Sequence, residues 1–200
     1  MRVTVLDLGL GNLASVAQAL ARAGGQAAIS ADPGAIARAE RLVLPGQGAF
    51  RDCATALAGP AGDALRRFIE SARPFLGICL GMQALFEESL EGGLHRGLGV
   101  LRGRVERIVP RPGEKVPHMG WNTVTPGVMG PVSASVAAGE RFYFVHSYGA
   151  VTDEDVSLWC DYGERRLPAA VERGAVLACQ FHPEKSQAAG VRLLEEWLRR

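Results

Sequence analysis

Residues 74–83 read Pro-Phe-Leu-Gly-Ile-Cys-Leu-Gly-Met-Gln, an apolar run that reaches a cysteine flanked by two glycines and then continues into helix-forming sequence. The run predicts a buried strand at 75–79 that turns at once into a helix, with Cys79 at the corner. Small neighbours are needed at such a corner because the backbone doubles back on itself. The pattern therefore predicts that Cys79 is lifted out of the sheet, where its sulfur is able to act as a nucleophile.

A second apolar run, near the end of the chain, leads into Gln180-Phe181-His182-Pro183-Glu184. A thiol attacks as the thiolate, which a helix N-terminus or a nearby imidazolium stabilises, and we expect His182 to reach Cys79 across the sheet. Glu184 is suited to orienting the His182 ring. A thiol, an imidazole and a carboxylate, each at the end of a predicted strand, indicate covalent acyl transfer. The alternative is a buried core cysteine, the commoner fate of a lone cysteine, which the two glycines and the His-Pro-Glu sequence disfavour.

The composition fits one domain that spans residues 1–200. Nearly half of the residues are hydrophobic (48%), which suffices for a substantial core, and a net charge of +1 provides no strong field for nucleic acid. Met1–Asp7 predicts a buried strand rather than a signal peptide, and no apolar run is long enough to span a bilayer. The four cysteines are scattered and the four histidines show no paired ligand spacing. We therefore expect a reduced, cytoplasmic protein with no metal and no cofactor.

Strands alternate with helices in the first half of the chain. The predicted strands are residues 3–8, 27–30, 41–44 and 75–79, and the predicted helices are residues 13–23, 36–39 and 63–71. In the second half, the Gly- and Pro-rich segment 98–130 predicts hairpins. Further strands are predicted at 141–147, 155–160, 168–172 and 176–181, and an amphipathic helix at 189–198. This order predicts an α/β fold with a central, mostly parallel sheet, helices on both faces and an added β-hairpin region in the second half.

Acyl transfer also requires hydrogen-bond donors where negative charge develops on the carbonyl oxygen. One candidate is the backbone N–H of Leu80, directly after the predicted nucleophile. The other is the glycine-rich loop Leu44-Pro45-Gly46-Gln47-Gly48-Ala49-Phe50, which is expected to present the N–H of Gln47 or Gly48 toward the thiol. The alternative for this loop is a generic strand-to-helix turn, and the loop taken alone does not decide between the two.

Longer motifs in the chain resemble a known family. Gly77–Gln83 together with His182–Glu184 resembles the class I glutamine amidotransferases, and Pro45–Gly48 is similar to their oxyanion strand. The resemblance is greatest to one group of them, the glutaminase subunits of imidazole glycerol phosphate synthase. It is carried, in order, by Asp7-Leu8-Gly9-Leu10-Gly11-Asn12-Leu13, Pro117-His118-Met119-Gly120-Trp121-Asn122, Tyr143-Phe144-Val145-His146-Ser147-Tyr148 and His182-Pro183-Glu184-Lys185-Ser186. It implies a single-domain, flavodoxin-like fold.

The resemblance also implies roles for individual residues. Cys79 would be the nucleophile, His182 the general base and then acid, and Glu184 the orienting carboxylate. The residues implied for the oxyanion hole are Gln47, Gly48 and Leu80. Those implied to hold glutamine are Gly46, Gln83, Glu91, Ser147 and Tyr148. Those implied to contact a partner are Asn12, Met119, Trp121, Tyr143 and Lys185. On residue type alone, the aromatic members of this last set would be ordinary core residues.

The reaction implied by the resemblance is hydrolysis of glutamine to glutamate and ammonia. The ammonia would pass directly to a synthase partner, a (βα)8 barrel on a separate chain, in a heterodimer. That partner would make imidazole glycerol phosphate for histidine biosynthesis together with an aminoimidazole carboxamide ribonucleotide. Glutaminase activity is expected to be very low until the partner carries its ligand. The chain departs from many relatives, which have valine where it has Gln47, but this position supplies a backbone N–H, so the chemistry is expected to survive.

Two other functions compete with this interpretation. Gly9-Leu10-Gly11-Asn12-Leu13-Ala14 fits a permissive dinucleotide fingerprint, with Asp32 near the expected acidic position. A dinucleotide-binding module would leave the Cys-His-Glu set unexplained. The second competitor is a different Cys-His hydrolase on a related fold, such as a γ-glutamyl hydrolase or an intracellular peptidase. Release of free ammonia from glutamine, rather than cleavage of a peptide bond, distinguishes these functions.

Overall fold

An eight-stranded mixed sheet runs through the centre of the structure, a computed structural model that describes residues 1–200. In chain order the strands are β1 (Arg2–Leu6), β2 (Gln26–Ser30), β3 (Leu42–Gly46), β4 (Phe75–Cys79), β5 (Glu88–Ser89), β6 (His95–Arg96), β7 (Arg104–Arg107), β8 (His118–Thr123), β9 (Thr125–Pro126), β10 (Arg141–His146), β11 (Tyr148–Val151), β12 (Val156–Tyr162), β13 (Arg165–Arg173) and β14 (Val176–Cys179). The α-helices are α1 (Leu13–Arg22), α2 (Pro33–Arg38), α3 (Phe50–Leu57), α4 (Pro60–Glu70), α5 (Leu80–Gln83) and α6 (Gln187–Leu198), and short 3-10 turns lie at Ser133–Ser135 and Pro183–Lys185.

The strands of the central sheet lie in the order β2-β1-β3-β4-β14-β13-β12-β9. The pairings from β2 to β14 are parallel, which agrees with the predicted parallel sheet, and those from β14 to β9 are antiparallel. Every residue of β3 and β4 is buried, as expected for parallel strands that are covered on both faces. Gly46 lies opposite Cys79 in the register of these two strands. The loops that follow β3 and β4 therefore begin side by side.

Helices cover both faces of the central sheet, as predicted. Alternate residues of a strand point to opposite faces, so Leu76 and Ile78 belong to one core and Phe75 to the other. Helices α1 and α6 close the first core, in which Trp197 is fully buried. Helices α2, α3 and α4 close the second core, in which Phe68 is fully buried. The sheet thus lies between two apolar layers, and the carboxyl ends of its parallel strands lie together at one edge.

Two smaller sheets extend the second half of the chain. Strands β8 and β10 form an antiparallel ribbon, and β11, β7, β5 and β6 form a four-stranded sheet. These pairings correct the expectation of hairpins within residues 98–130, because β7 and β8 pair with β11 and β10, which come later in the chain. The consecutive antiparallel hairpins of the second half lie in the central sheet instead, from β12 to β14. The expectation was wrong because apolar alternation predicts a strand without identifying its partner.

Helix α3 is not predicted from the sequence, although Phe50, Cys53 and Leu57 recur at helical spacing and are buried. Its N-cap residue, Ala49, makes no side-chain hydrogen bond, so the usual Ser, Thr, Asp or Asn signal for a helix start is missing. The Glu91 carboxylate caps the helix instead, because its Oε2 accepts a hydrogen bond from the Phe50 N–H at 3.0 Å. A cap that comes from a residue distant in the chain leaves no local sequence signal.

The other predicted elements agree with the structure to within a few residues. Strand β4 occupies the predicted residues 75–79, and α1 ends one residue before the predicted 13–23. Helix α6 buries Leu194, Trp197 and Leu198 against the first core, as its amphipathic pattern predicts. None of the helices combines the length and the apolar character that crossing a membrane would require.

Candidate active site

The backbone is strained at Cys79, where β4 ends. Cys79 has φ 54° and ψ −108°, in a region that residues with a side chain rarely adopt, and α5 begins at the next residue. This confirms the predicted strand-to-helix corner, although the helix that follows is a single turn of 4 residues. Strained conformations of this kind persist only where the surrounding structure enforces them.

Gly77 and Gly81 allow the strand and the turn to pack backbone against backbone. A Cβ on Gly81 would lie 1.9 Å from the carbonyl oxygen of Leu44, and a Cβ on Gly77 would lie 2.8 Å from the carbonyl oxygen of Gly81. No side chain fits at these distances unless the backbone moves. The prediction that the corner requires small neighbours is confirmed.

His182 and Glu184 form a buried pair beside this corner. The Nδ1 atom of His182 lies 2.7 Å from Oε1 of Glu184, and the two side chains are only 1% and 2% exposed. A carboxylate oxygen only accepts hydrogen bonds, so Nδ1 carries a proton. The other ring nitrogen, Nε2, is buried and makes no hydrogen bond of ordinary geometry. The pair therefore has the order expected of a catalytic histidine and its orienting carboxylate.

The pKa of His182 connects the histidine to Cys79. Burial lowers this pKa, but interactions with Cys79 and then with Glu184 outweigh burial and raise the pKa to about 9. The ring is therefore protonated at neutral pH. By contrast, burial raises the pKa of the Cys53 and Cys160 thiols to about 12 and that of Cys179 well above its ordinary value. Only Cys79 faces a cavity beside an imidazole.

A cavity of about 340 Å³ brings together most of the residues predicted for the site. Its lining residues are Gln47, Gly48, Cys79, Leu80, Gln83, Glu91, Pro117, Val145, His146, Ser147, Tyr148 and His182. Glu184 lies behind the His182 ring, and Gly46 lies behind Leu80, where a Cβ would meet the Leu80 Cβ at 2.8 Å. Gly46 thus allows a close approach of β3 to the corner and does not line the cavity.

The loop after β3 carries backbone donors beside the corner. Gly48 has φ 103°, a conformation that favours glycine, and the N–H groups of Gln47 and Gly48 donate to no other backbone group. The next helix, α3, is held at its first N–H by Glu91, which also lines the cavity. The structure therefore brings the residues predicted for an oxyanion hole, Gln47, Gly48 and Leu80, to the lining of the cavity that Cys79 also lines.

Gln180 is a polar residue at the site that the sequence analysis does not single out. Its Nε2 atom donates a hydrogen bond to Sγ of Cys79 at 3.5 Å, and its Oε1 accepts one from Nε2 of Gln83 at 2.9 Å. Gln180 lies two residues before His182 in the same extended segment. Alternate residues of an extended chain point to the same side, so this spacing could have identified Gln180 as a neighbour of Cys79. Pro117, Val145 and His146 also line the cavity without having been predicted, and they lie within the motifs that carry the family resemblance.

The residues predicted to contact a partner lie mostly on the β8–β10 ribbon. Met119 is 65% exposed and Trp121 is 39% exposed, so Trp121 is not a core aromatic. Trp121 lies opposite Tyr143 with the two rings edge to face, and the Lys185 ammonium lies 5.9 Å from the Tyr143 ring centre. Asn12 is exposed at the start of α1, where its side chain accepts a hydrogen bond from the Ser15 N–H at 3.2 Å.

The dinucleotide fingerprint has a structural role in this fold. The Gly9 and Gly11 backbones have positive φ values, and Gly11 packs against the backbone of Gly46 and Gln47. Asp32, the acidic residue that the hypothesis requires, caps α2 by accepting hydrogen bonds from two backbone N–H groups at 2.9 and 3.1 Å. Both features support the turn and the helix, so the nucleotide-binding alternative loses its sequence basis.

Comparisons with known proteins agree with this geometry. The family model described as glutamine amidotransferase class-I matches residues 4–199. The chain is 47% identical to a protein of Syntrophotalea carbinolica, over 98% of each chain, and 49% identical to one of Methylococcus capsulatus, over 98% of this chain and 95% of the relative. Both are named imidazole glycerol phosphate synthase subunit HisH. Among solved structures, PurLQS from Thermotoga maritima superposes with a TM-score of 0.76 at 20% identity, over 99% of this chain and 97% of that one, which shows a shared fold.

These matches confirm the predicted resemblance and the predicted α/β fold. The family match covers the corner at Cys79, the loop after β3 and the His182–Glu184 pair, which are the features that meet at the cavity. The chain belongs to the class-I glutamine amidotransferase family.

Proposed function

We propose that this chain is the glutaminase subunit of an imidazole glycerol phosphate synthase, which releases ammonia from glutamine for a synthase partner. The observation that carries the proposal is the meeting of Cys79 and His182 at one cavity, with Glu184 hydrogen-bonded behind the ring. The names of the full-length relatives support the choice of this amidotransferase among others. The four cysteines are all unpaired, which supports a reduced, cytoplasmic setting.

The proposed reaction begins with attack of the Cys79 thiolate, paired with the protonated His182, on the side-chain amide carbon of glutamine. The general-base step, transfer of the thiol proton to His182, therefore precedes the attack. A tetrahedral intermediate forms, and its oxyanion is stabilised by backbone N–H groups of Gln47 or Gly48 and of Leu80. His182 is protonated at neutral pH, since its pKa is raised to about 9, so it is the acid that protonates the departing ammonia. The product of this half-reaction is a glutamyl thioester on Cys79.

The second half-reaction returns the proton. His182, now neutral, takes a proton from water as the water attacks the thioester carbon, and the sulfur leaves as thiolate beside the renewed imidazolium. Glu184 stabilises the imidazolium in both half-reactions and keeps Nδ1 protonated, so that Nε2 is the nitrogen that exchanges protons. Glutamate and ammonia are the products, and each residue returns to its starting state.

Substrate glutamine is proposed to lie along the cavity wall formed by Gln83, Glu91, Ser147 and Tyr148. The Glu91 carboxylate suits the substrate ammonium group. The carbonyl oxygens of Ser147 and Tyr148 already accept hydrogen bonds within the fold, so these two residues are proposed to contact glutamine through their other polar groups. The cavity volume of about 340 Å³ is in the range of small-molecule sites.

The proposed partner is a (βα)8-barrel synthase subunit that forms a heterodimer with this chain. Exposed Met119 and Trp121, with Tyr143 beside them, give the ribbon the methionine and aromatic side chains that are enriched at protein interfaces. Lys185 lies next to this group, over the Tyr143 ring. The ribbon is joined to the cavity, because Val145 and His146 of β10 line its wall. The proposed partner surface is therefore contiguous with the cavity in which ammonia would be released.

The test is glutamate and ammonia release from glutamine, measured with the chain alone, with the synthase subunit, and with the synthase subunit and its nucleotide ligand. We expect very low activity alone, strong stimulation in the full mixture and none with Cys79→Ala. Absence of glutamine hydrolysis in every mixture would overturn the proposal, and cleavage of γ-glutamyl or ordinary peptide bonds instead would assign the site to the hydrolase alternative.

A further inference from the structure

A chain of buried amide hydrogen bonds ends on the sulfur of Cys79. Gln180 and Gln83 are only 1% and 4% exposed, and neither carries a charge. Gln83 Nε2 donates to Gln180 Oε1 at 2.9 Å, and Gln180 Nε2 donates to Cys79 Sγ at 3.5 Å. We propose that Gln180 is a positioning residue that holds the Cys79 sulfur with an N–H donor of fixed orientation. The inference deepens the proposed glutaminase function and rests on it for its catalytic meaning.

The carbonyl oxygen of Tyr148 fixes the orientation of both amides. This oxygen is 2.9 Å from Gln83 Nε2, and a carbonyl oxygen only accepts, so the NH2 end of Gln83 must face it. The second N–H of the same group then donates to Gln180, which requires the oxygen end of Gln180 to face Gln83. The NH2 end of Gln180 is thereby directed at the sulfur. The Tyr148 carbonyl alone therefore determines the orientation of both side-chain amides.

Two histidines, His146 and His118, form a second hydrogen-bonded chain that ends on the Tyr148 carbonyl oxygen. His146 Nδ1 lies 2.8 Å from the Tyr148 oxygen, so Nδ1 is a donor, and burial lowers the pKa of His146 to about 3, which leaves Nε2 as an acceptor at neutral pH. His118 Nδ1 donates to that Nε2 at 3.0 Å, and Asn122 Nδ2 donates to His118 Nε2 at 3.2 Å. The Tyr148 oxygen thus accepts two hydrogen bonds from groups that are themselves fixed by neighbours.

An N–H donor at the sulfur favours the charged form of the nucleophile. Hydrogen bonds to an ionised acceptor are stronger than those to a neutral one, so the Gln180 amide stabilises a thiolate more than a thiol. It also restricts the direction in which the sulfur points. Gln180 contacts the nucleophile from behind and does not line the cavity, so it acts on the reaction through Cys79.

The experiment measures alkylation of Cys79 by iodoacetamide from pH 5 to pH 8, followed by mass spectrometry of the labelled peptide. Two variants remove the donor: Gln180→Leu shortens the side chain, and Gln180→Met keeps its length. We expect alkylation at the acidic end of this range to be about tenfold slower in both variants, because a proton competes for the sulfur there and loss of one charge-assisted hydrogen bond corresponds to roughly that factor. Cys53, Cys160 and Cys179 are buried with raised pKa values, so the label reports on Cys79.

The matched control is Gln18→Met on the exposed face of α1, which should alkylate at the wild-type rate. A folded Leu or Met variant that alkylates at the wild-type rate across this pH range would overturn the proposal, and circular dichroism identifies which variants are folded. The Met variant, which is closer to glutamine in length, provides the test if the Leu variant does not fold. Alkylation needs neither glutamine nor the synthase subunit, so failure of the proposed function is distinguishable from failure of this inference. In an active complex, kcat should fall while the KM for glutamine changes little.

Discussion

The Nδ1 atom of His182 and the Oε1 atom of Glu184 are 2.7 Å apart in a pair that solvent scarcely reaches. A buried carboxylate this close stabilises the protonated ring, and it contributes to the high pKa of His182. The order of proton transfers in the proposed reaction depends on this pair. Its removal is therefore the most direct test of the mechanism.

Glu184→Gln is expected to lower the glutaminase kcat by about a hundredfold or more, since general acid–base catalysis contributes on that scale. The amide still accepts from Nδ1 but carries no charge, so the pKa of His182 falls and the alkaline limb of the kcat–pH profile moves to lower pH. Glu164→Gln, at an exposed position, is the control and should leave both unchanged. An unaltered kcat–pH profile in the Glu184 variant would show that the Glu184 carboxylate does not take part in the mechanism.

The buried histidines predict a loss of stability in acid. Burial lowers the pKa of His118 to about 4, so the unfolded chain binds a proton below about pH 6.5 that the folded chain does not bind until about pH 4. The stabilisation is therefore complete above pH 6.5 and is lost as the pH falls toward 4. Urea unfolding at pH 7 and pH 5 should show wild type losing roughly 1 to 2 kcal/mol more than His118→Gln. Equal losses in the two proteins would contradict the prediction.

Gly81→Ala is expected to destabilise the protein by about 3 kcal/mol or more, because its Cβ would lie 1.9 Å from the Leu44 carbonyl oxygen and the backbone must move. Gly59→Ala is the matched control, since its Cβ would meet no atom within 4 Å. It should cost less than about 1 kcal/mol. Chemical unfolding of the two variants measures both values, and a Gly81 variant as stable as the Gly59 variant would show that the corner has room.

Cys79→Gly is expected to be more stable than Cys79→Ala by about 1 kcal/mol, although glycine normally weakens a strand end. The reason is the φ of 54° at this position, which glycine adopts without steric cost. Both variants lack the nucleophile, so the comparison isolates the backbone. Thermal unfolding of the pair provides the measurement, and an Ala variant that is the more stable one would indicate that Cys79 is not strained.

The sequence predicts the catalytic residues of this site better than the residues that hold them in place. Cys79 and the His182–Glu184 pair are recognisable because glycine spacing and the ends of apolar runs are local signals, and the parallel half of the sheet follows from the alternation of strands and helices. Glu91 as the cap of α3 is not recognisable, because the helix and its cap are separated by intervening elements that only the fold brings together.

The sequence pattern also does not predict which strands pair with β7 and β8. Both strands alternate in a way that a neighbouring hairpin would satisfy, yet they pair with β11 and β10. The buried amide of Gln180 shows the same limit, since its role depends on a Tyr148 carbonyl whose position comes from the fold. Local propensity identifies elements, whereas long-range packing chooses which elements meet.

Strand β14 lies in the middle of the central sheet, between β4 and β13, although it comes after every other strand in the chain. Until β14 has been synthesised, the edge of β4 that it covers has no pairing partner. Such an edge is a template for pairing with other chains. A chain truncated before β14 would expose this edge and would also lack His182 and Glu184. Closure of the sheet and assembly of the catalytic residues therefore depend on the same late segment of the chain.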